Sequence, residues 1–88
     1  MRIDLYLHRI RLAKSRTLAQ GLIEQGTTRI DGRRVEKPSE PVRVGNVIAL
    51  PLRGRVRVLR VLGLPGRRGP AGEARTAYEE IDGGGGQT

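Results

Sequence analysis

The stretch Lys14-Ser15-Arg16-Thr17-Leu18-Ala19-Gln20-Gly21-Leu22-Ile23-Glu24-Gln25-Gly26 decides the fold. Ala19, Leu22 and Ile23 recur at helical spacing, with Leu18 at the edge of the stripe, so the segment predicts a helix with one apolar face. Ser15 stands just before that repeat, where its hydroxyl can accept from a free backbone N–H of the first turn. Gly26 follows the last apolar residue, the position at which a glycine ends a helix. Upstream, Ile3, Leu7 and Ile10 fall at i, i+4 and i+7 and predict a first short helix. Downstream the period changes from 3.6 to 2. Thr27-Thr28-Arg29-Ile30, then Asp31-Gly32, then Arg33-Arg34-Val35 reads as a hairpin, because a type I′ turn needs positive φ at both central residues.

The remaining chain continues as strands and turns. Lys37-Pro38-Ser39 predicts a loop, and Pro41 keeps the chain extended. Gly45-Asn46 leads into the strand Val47-Ile48-Ala49-Leu50, and Arg53-Gly54 turns into a second strand from Arg55 to Leu62. That strand has no clean face: Arg55, Arg57, Leu59 and Val61 share one parity, while Val56, Val58, Arg60 and Leu62 share the other. A bulge or a change of facing near Val58-Leu59 is therefore expected. Pro70 suits the first position of a last helix, with Ala74, Tyr78 and Ile81 as its weak stripe. Gly83 to Gly86 predicts a flexible tail.

The expected fold is α+β: two short N-terminal helices on one face of a small, mostly antiparallel sheet, then a short C-terminal helix and a flexible tail. The strands are expected near 28–30, 33–36, 47–50 and 55–62. Residues 1–62 form the expected principal domain, 63–82 a basic loop with a short acidic helix, and 83–88 the Gly-rich tail.

With 88 residues there is room for one small domain with a thin core. The chain carries 17 Lys+Arg against 9 Asp+Glu, and the net charge is +8. That charge is segregated: residues 1–34 carry +5, residues 53–68 carry +6, and residues 69–88 carry −3. A basic body with an acidic end points to a polyanionic partner, with nucleic acid ahead of an anionic membrane surface. The absence of cysteine excludes a disulfide scaffold and any thiolate metal site. His8 is the lone histidine and has no catalytic partner placed by sequence, so no catalytic residue, metal or cofactor is expected. Met1-Arg2-Ile3-Asp4 has a charge where a signal peptide needs its apolar run, and no segment reaches membrane-spanning length, so a cytoplasmic protein without membrane contact is expected. Two Tyr and no Phe or Trp give no platform for stacking single-stranded bases, which favours structured RNA. Tyr6 and Tyr78 are expected to pack with a wet hydroxyl.

Arg11, Lys14 and Arg16 cluster at the start of the second helix, where free N–H groups and the helix dipole favour an anion. With Ser15 they are the first candidates for phosphate contact. Arg2 and Arg9 lie off the first helix's apolar stripe, and Gln20 follows Arg16 by one turn, able to face the same groove and donate to a phosphate or a 2′-hydroxyl. Arg29, Arg33 and Arg34 flank the hairpin turn and join the set. Arg55, Arg57 and Arg60 read equally well as a solvated strand surface, and Lys37 and Arg43 as plain surface charge.

The combination Arg2-x-Asp4-x-x-Leu7, Lys14-Ser15-Arg16, Ala19-x-x-Leu22-Ile23-x-x-Gly26, Asp31-Gly32 and Val44-Gly45 resembles the small RNA-binding module named after ribosomal protein S4, the alpha-L motif. The likeness runs from Arg2 to Leu50. Arg67-Arg68-Gly69-Pro70-Ala71 and Tyr78-Glu79-Glu80 extend it towards the ribosome-associated heat shock proteins of the fifteen-kilodalton class. The resemblance implies a non-catalytic module that binds ribosomal RNA or tRNA on the large ribosomal subunit and acts on stalled nascent-chain complexes; a monomer is expected. The same module often precedes a catalytic domain, so an RNA-binding accessory subunit of an RNA-modifying enzyme is the alternative. The chain departs from the family in having Leu5-Tyr6 after the first-helix Asp, and Asp31 where Asn is usual at the hairpin tip.

Overall fold

The computed structural model describes residues 1–81. Two helices open the chain, α1 (Ile3–Arg9) and α2 (Arg16–Glu24). Ser15 Oγ accepts from Leu18 N at 3.1 Å, which makes it the N-cap its position suggested. Gly26, at φ +82, lies one residue past the Gln25 C-cap and lets the chain leave α2 towards the sheet.

The sheet has five strands in the order β2-β1-β3-β4-β5, and every pairing is antiparallel. β1 (Arg29–Ile30) and β2 (Arg33–Arg34) meet across Asp31 (φ +51) and Gly32 (φ +82), the backbone of the expected turn. β3 (Val47–Leu52) and β4 (Arg55–Val61) meet across Arg53 (φ +53) and Gly54 (φ +83), a second turn of the same kind. β3 runs two residues further than the sequence suggested, because Pro51 is tolerated beside the hairpin end.

The structure has neither the expected bulge nor a change of facing. β3 and β4 pair without interruption from Val47↔Arg60 to Leu52↔Arg55. The mixed pattern has another cause: Leu59 and Val61 face the helices and are buried, whereas Arg57 and Arg55 continue on that parity past the edge of the core. The C-terminal helix is likewise shorter than its stripe implied. α3 (Ala71–Ala74) follows Pro70 for one turn and gives way to a 3-10 turn, Arg75–Ala77. Tyr78 and Ile81 lie instead in β5 (Tyr78–Ile81), which adds to the free edge of β4 in the register Val61↔Tyr78 to Val58↔Ile81. The expected Gly83–Gly86 tail lies outside the described residues.

Ile3, Tyr6, Leu7 and Ile10 of the first helical segment, with Ala19 and Ile23 of α2, pack on Ile30, Ile48, Leu50, Leu59 and Val61 of the sheet. The segment before β3 closes the remaining side: Ile3 N donates to Glu40 O at 2.8 Å, Val42 N donates to Met1 O at 2.7 Å, and Val42 is buried. The Tyr6 hydroxyl is not wet. It is buried and donates to Ala77 O at 2.9 Å. Among the described residues, no helix is long and apolar enough to cross a membrane.

Candidate nucleic-acid interface

Asp4 organises the helical end of the molecule. It sits in the first turn of α1 and is fully buried, yet its carboxylate is saturated with donors. Arg2 grips it with two nitrogens, Nε to Oδ1 at 2.9 Å and Nη2 to Oδ2 at 3.0 Å. Gln20 Nε2 donates to Oδ2 at 3.0 Å, Arg16 Nε donates to the same oxygen at 3.3 Å, and Leu5 N donates to Oδ1 at 2.7 Å. Burial pushes the Asp4 pKa up, but the bonds from Arg2, Gln20, Arg16 and Leu5 outweigh it and hold the value at about 2. The group is therefore an anion at any physiological pH. The Arg2 and Arg16 side chains remain 41% and 45% exposed, so Asp4 orients them without consuming them. Two bidentate-capable guanidinium groups thus reach solvent from fixed anchors.

A second group of cations gathers around His8. Arg9 Nη1 donates to Pro65 O at 2.9 Å, Arg11 Nε donates to Gly69 O at 2.8 Å, and Arg68 Nε donates to His8 O at 3.0 Å. These three bonds fasten the 65–69 loop across the C-terminal end of α1. The His8 pKa is lowered by partial burial and then by the positive charges of Arg68, Arg9, Arg11 and Arg16. The imidazole therefore reports a region of positive potential.

Of the residues singled out from the sequence, Arg2, Arg16 and Gln20 converge on Asp4, while Arg9 and Arg11 converge on His8. Lys14 is exposed in the connecting loop and has no hydrogen-bond partner among the described residues. The hairpin arginines stand apart on the β1–β2 edge of the sheet. Arg29 Nη1 donates to Gly32 O at 3.2 Å, Arg33 Nη1 pairs with Glu40 at 2.9 Å, and the Arg34 guanidinium lies over Gly26. Asp31 is occupied within the fold. Its carboxylate accepts from Val47 N and Asn46 Nδ2, each at 2.8 Å, and ties the hairpin tip to the start of β3.

Sequence reasoning missed the buried hub at Asp4, although the Arg2-x-Asp4 spacing was its visible trace. It also left out Arg68, whose role depends on a contact 60 residues away along the chain. On β5, Glu80 pairs with Arg57 through two bonds, and Glu79 pairs with Arg60 at 3.3 Å. Part of the basic charge of β4 is thereby neutralised within the sheet. Among the described residues, no group of three or more His, Cys, Asp or Glu is placed to hold a metal ion.

The N-terminal half of the chain matches a known family. The family model of the S4 domain aligns with residues 1–48. The small ribosomal subunit protein uS4 of Limosilactobacillus fermentum is 43% identical over 49 residues, which is 56% of this chain and 24% of that protein. The uS4 protein of Listeria welshimeri is 41% identical over the same length. The chain thus spans about a quarter of the length of these curated relatives. Among solved structures, the trimeric Heat Shock Protein 15 of Vibrio cholerae superposes with a TM-score of 0.88 at 28% identity, covering 96% of this chain and 84% of that one. The likeness therefore includes β4, α3 and β5 as well as the family-matched segment. With residues 1–48 of 88 aligned to the family model and the whole architecture repeated in a solved relative, this chain belongs to the S4 domain family.

Proposed function

We propose that this protein is a non-catalytic module that binds structured RNA, with ribosomal RNA or tRNA on the large ribosomal subunit as its target. The observation that carries the proposal is the fixed positive surface at the helical end of the molecule. Asp4 orients Arg2 and Arg16, while Arg9 and Arg11 hold the 65–69 loop that brings Arg68 to His8. Such a surface suits phosphate contact and shape recognition more than base readout. Arg2, Arg9, Arg11, Lys14, Ser15, Arg16 and Gln20 form the first half of the proposed contact face. Arg29, Arg33 and Arg34 on the hairpin form the second. Residues 1–62 carry this face, and Pro65, Arg68 and Gly69 of the following segment brace it through the bonds to Arg9, His8 and Arg11.

The likeness to a heat shock protein supports a finer reading: the module acts in the cytoplasm under stress, on large subunits that hold a stalled nascent chain. Crosslinking the protein to RNA in cells and sequencing the attached fragments tests both levels. The proposal expects fragments of large-subunit rRNA or tRNA. Recovery of one modification substrate together with a single enzyme would favour the accessory-subunit alternative.

A further inference from the structure

An open groove of about 470 Å³ lies between the α1–α2 loop and the β3–β4 hairpin. Arg11 enters it from the loop, and Arg53, Arg55 and Arg57 enter from the hairpin. Leu12 and Leu52 form its apolar part, and among the described residues Glu80 is the one acidic residue that lines it. We propose that this groove is a second phosphate site, which takes the phosphodiester backbone of the RNA that the helical end binds. The inference rests on the RNA-binding reading above and extends it to residues outside the alpha-L surface.

Three observations support it. The first is the direction of the side chains. Arg55 and Arg57 share the parity of the buried Leu59 and Val61, so they point to the helix side of the sheet, where Arg57 is half-buried. A strand that used arginine only for solubility would place it on the outer parity, as it does with Arg60.

The second is the backbone. Among the described residues, three that are not glycine have positive φ: Arg11, Asp31 and Arg53. Asp31 is at home in its turn, since Asp and Asn tolerate that conformation. Arginine offers no such side-chain stabilisation, and a left-handed L-residue is strained. Arg53 adopts it as the first residue of the Arg53-Gly54 turn and Arg11 just past the end of α1, so two tight turns set both arginines in the lining of one groove.

The third is the state of the charges. Arg53 and Arg55 are exposed and have no hydrogen-bond partner among the described residues. Arg11 spends Nε on Gly69 O and keeps its terminal nitrogens. Among the described residues, Arg57 alone of the four is held by a carboxylate, that of Glu80. Glu80 thus fills one of the four cationic positions, and a phosphate entering the groove competes with it for Arg57.

Binding of the full chain to a double-stranded RNA hairpin, measured across a salt series, tests the site. Replacing both Arg53→Gln and Arg55→Gln should flatten the slope of log affinity against log salt by about one unit for each phosphate no longer neutralised. Glu80→Gln should steepen it by up to about one unit, because Arg57 is released. Arg53→Lys with Arg55→Lys should restore most of the slope. Lys37→Gln with Arg43→Gln removes the same charge from outside both sites and should leave the slope nearly unchanged. A normal wild-type slope that survives Arg53→Gln with Arg55→Gln would overturn the groove while leaving RNA binding intact. Equal flattening in the Lys37/Arg43 control would reduce the groove to bulk charge. A wild type that ignores the hairpin even at low salt would overturn both proposals.

Discussion

The Tyr6 hydroxyl donates to the carbonyl of Ala77 at 2.9 Å, joining the first helix to the turn before β5 across 71 positions of sequence. That carbonyl also accepts from Leu62 N at 2.8 Å and Gly63 N at 3.0 Å, so three segments meet on one oxygen. Burial, with a smaller contribution from Tyr78, pushes the phenol pKa well above its ordinary value, so the hydroxyl remains a donor at any working pH.

Tyr6→Phe should therefore be mild. The carbonyl keeps two donors after the hydroxyl is removed, and the expected cost is about 0.5–1.5 kcal/mol. Tyr6→Ala removes a fully buried ring from a thin core and should cost about 3–5 kcal/mol. Urea unfolding of both variants checks the ratio. A Tyr6→Phe loss as large as that of Tyr6→Ala would mean that the hydrogen bond, not the ring, holds the two ends together.

Asp4 should set part of the acid stability. Its folded pKa of about 2 lies below the ordinary value of 3.8, so its contribution is present above pH 3.8 and disappears as pH falls towards 2. Asp4→Asn should cost about 2–3 kcal/mol near neutral pH, because Arg2, Arg16 and Gln20 lose a charged acceptor. The gap between wild type and variant should then close across that acidic window. A gap that stays constant from pH 5 to pH 2 contradicts the assignment.

The same variant separates orientation from bulk charge. Asp4→Asn raises the net charge by one, so a generic polycation would bind RNA more tightly. If Asp4 aims Arg2 and Arg16 at phosphate, affinity for a folded rRNA fragment should fall in protein confirmed to be folded. Filter binding at fixed salt distinguishes the two.

His8 should act as a reporter of bound phosphate. Partial burial and the charges of Arg68, Arg9, Arg11 and Arg16 hold its pKa down in the free protein. Phosphate on those arginines favours the imidazolium, so the pKa should rise on binding and a proton should be taken up. Affinity then increases as pH falls through the bound pKa and levels off below the free one. An NMR titration of the His8 ring with and without RNA measures the shift directly. An unmoved pKa would place the RNA elsewhere.

Local features were legible from the chain, and contacts between distant segments were not. The Ser15 cap, the Gly26 exit and the Asp31-Gly32 turn each depend on residues a few positions apart, and each forms as read. Ala74, Tyr78 and Ile81 have helical spacing, but β4 leaves an open edge, a contact between distant segments, and Tyr78–Ile81 pairs along it. The parity of Arg55 and Arg57 suggested a bulge, because the point where the helices stop covering the sheet is not encoded in that strand. Asp4 sits on α1 while two of its partners, Arg16 and Gln20, lie beyond the loop, so the hub becomes visible only once the helices have packed. The arginines were recognisable as a class; which of them are braced or paired was decided by the fold.

The salt dependence of RNA binding by wild type and by the Arg11→Ala, Lys14→Ala, Arg16→Ala triple variant is the most direct measurement. Affinity of the wild type for a folded rRNA fragment should fall steeply with rising salt as counterions are released. The triple variant should bind more weakly, its slope flattened by about one unit for each phosphate it no longer neutralises. A folded triple variant that keeps the wild-type affinity and slope would show that these cations are only solvated, and that RNA is held by some other surface.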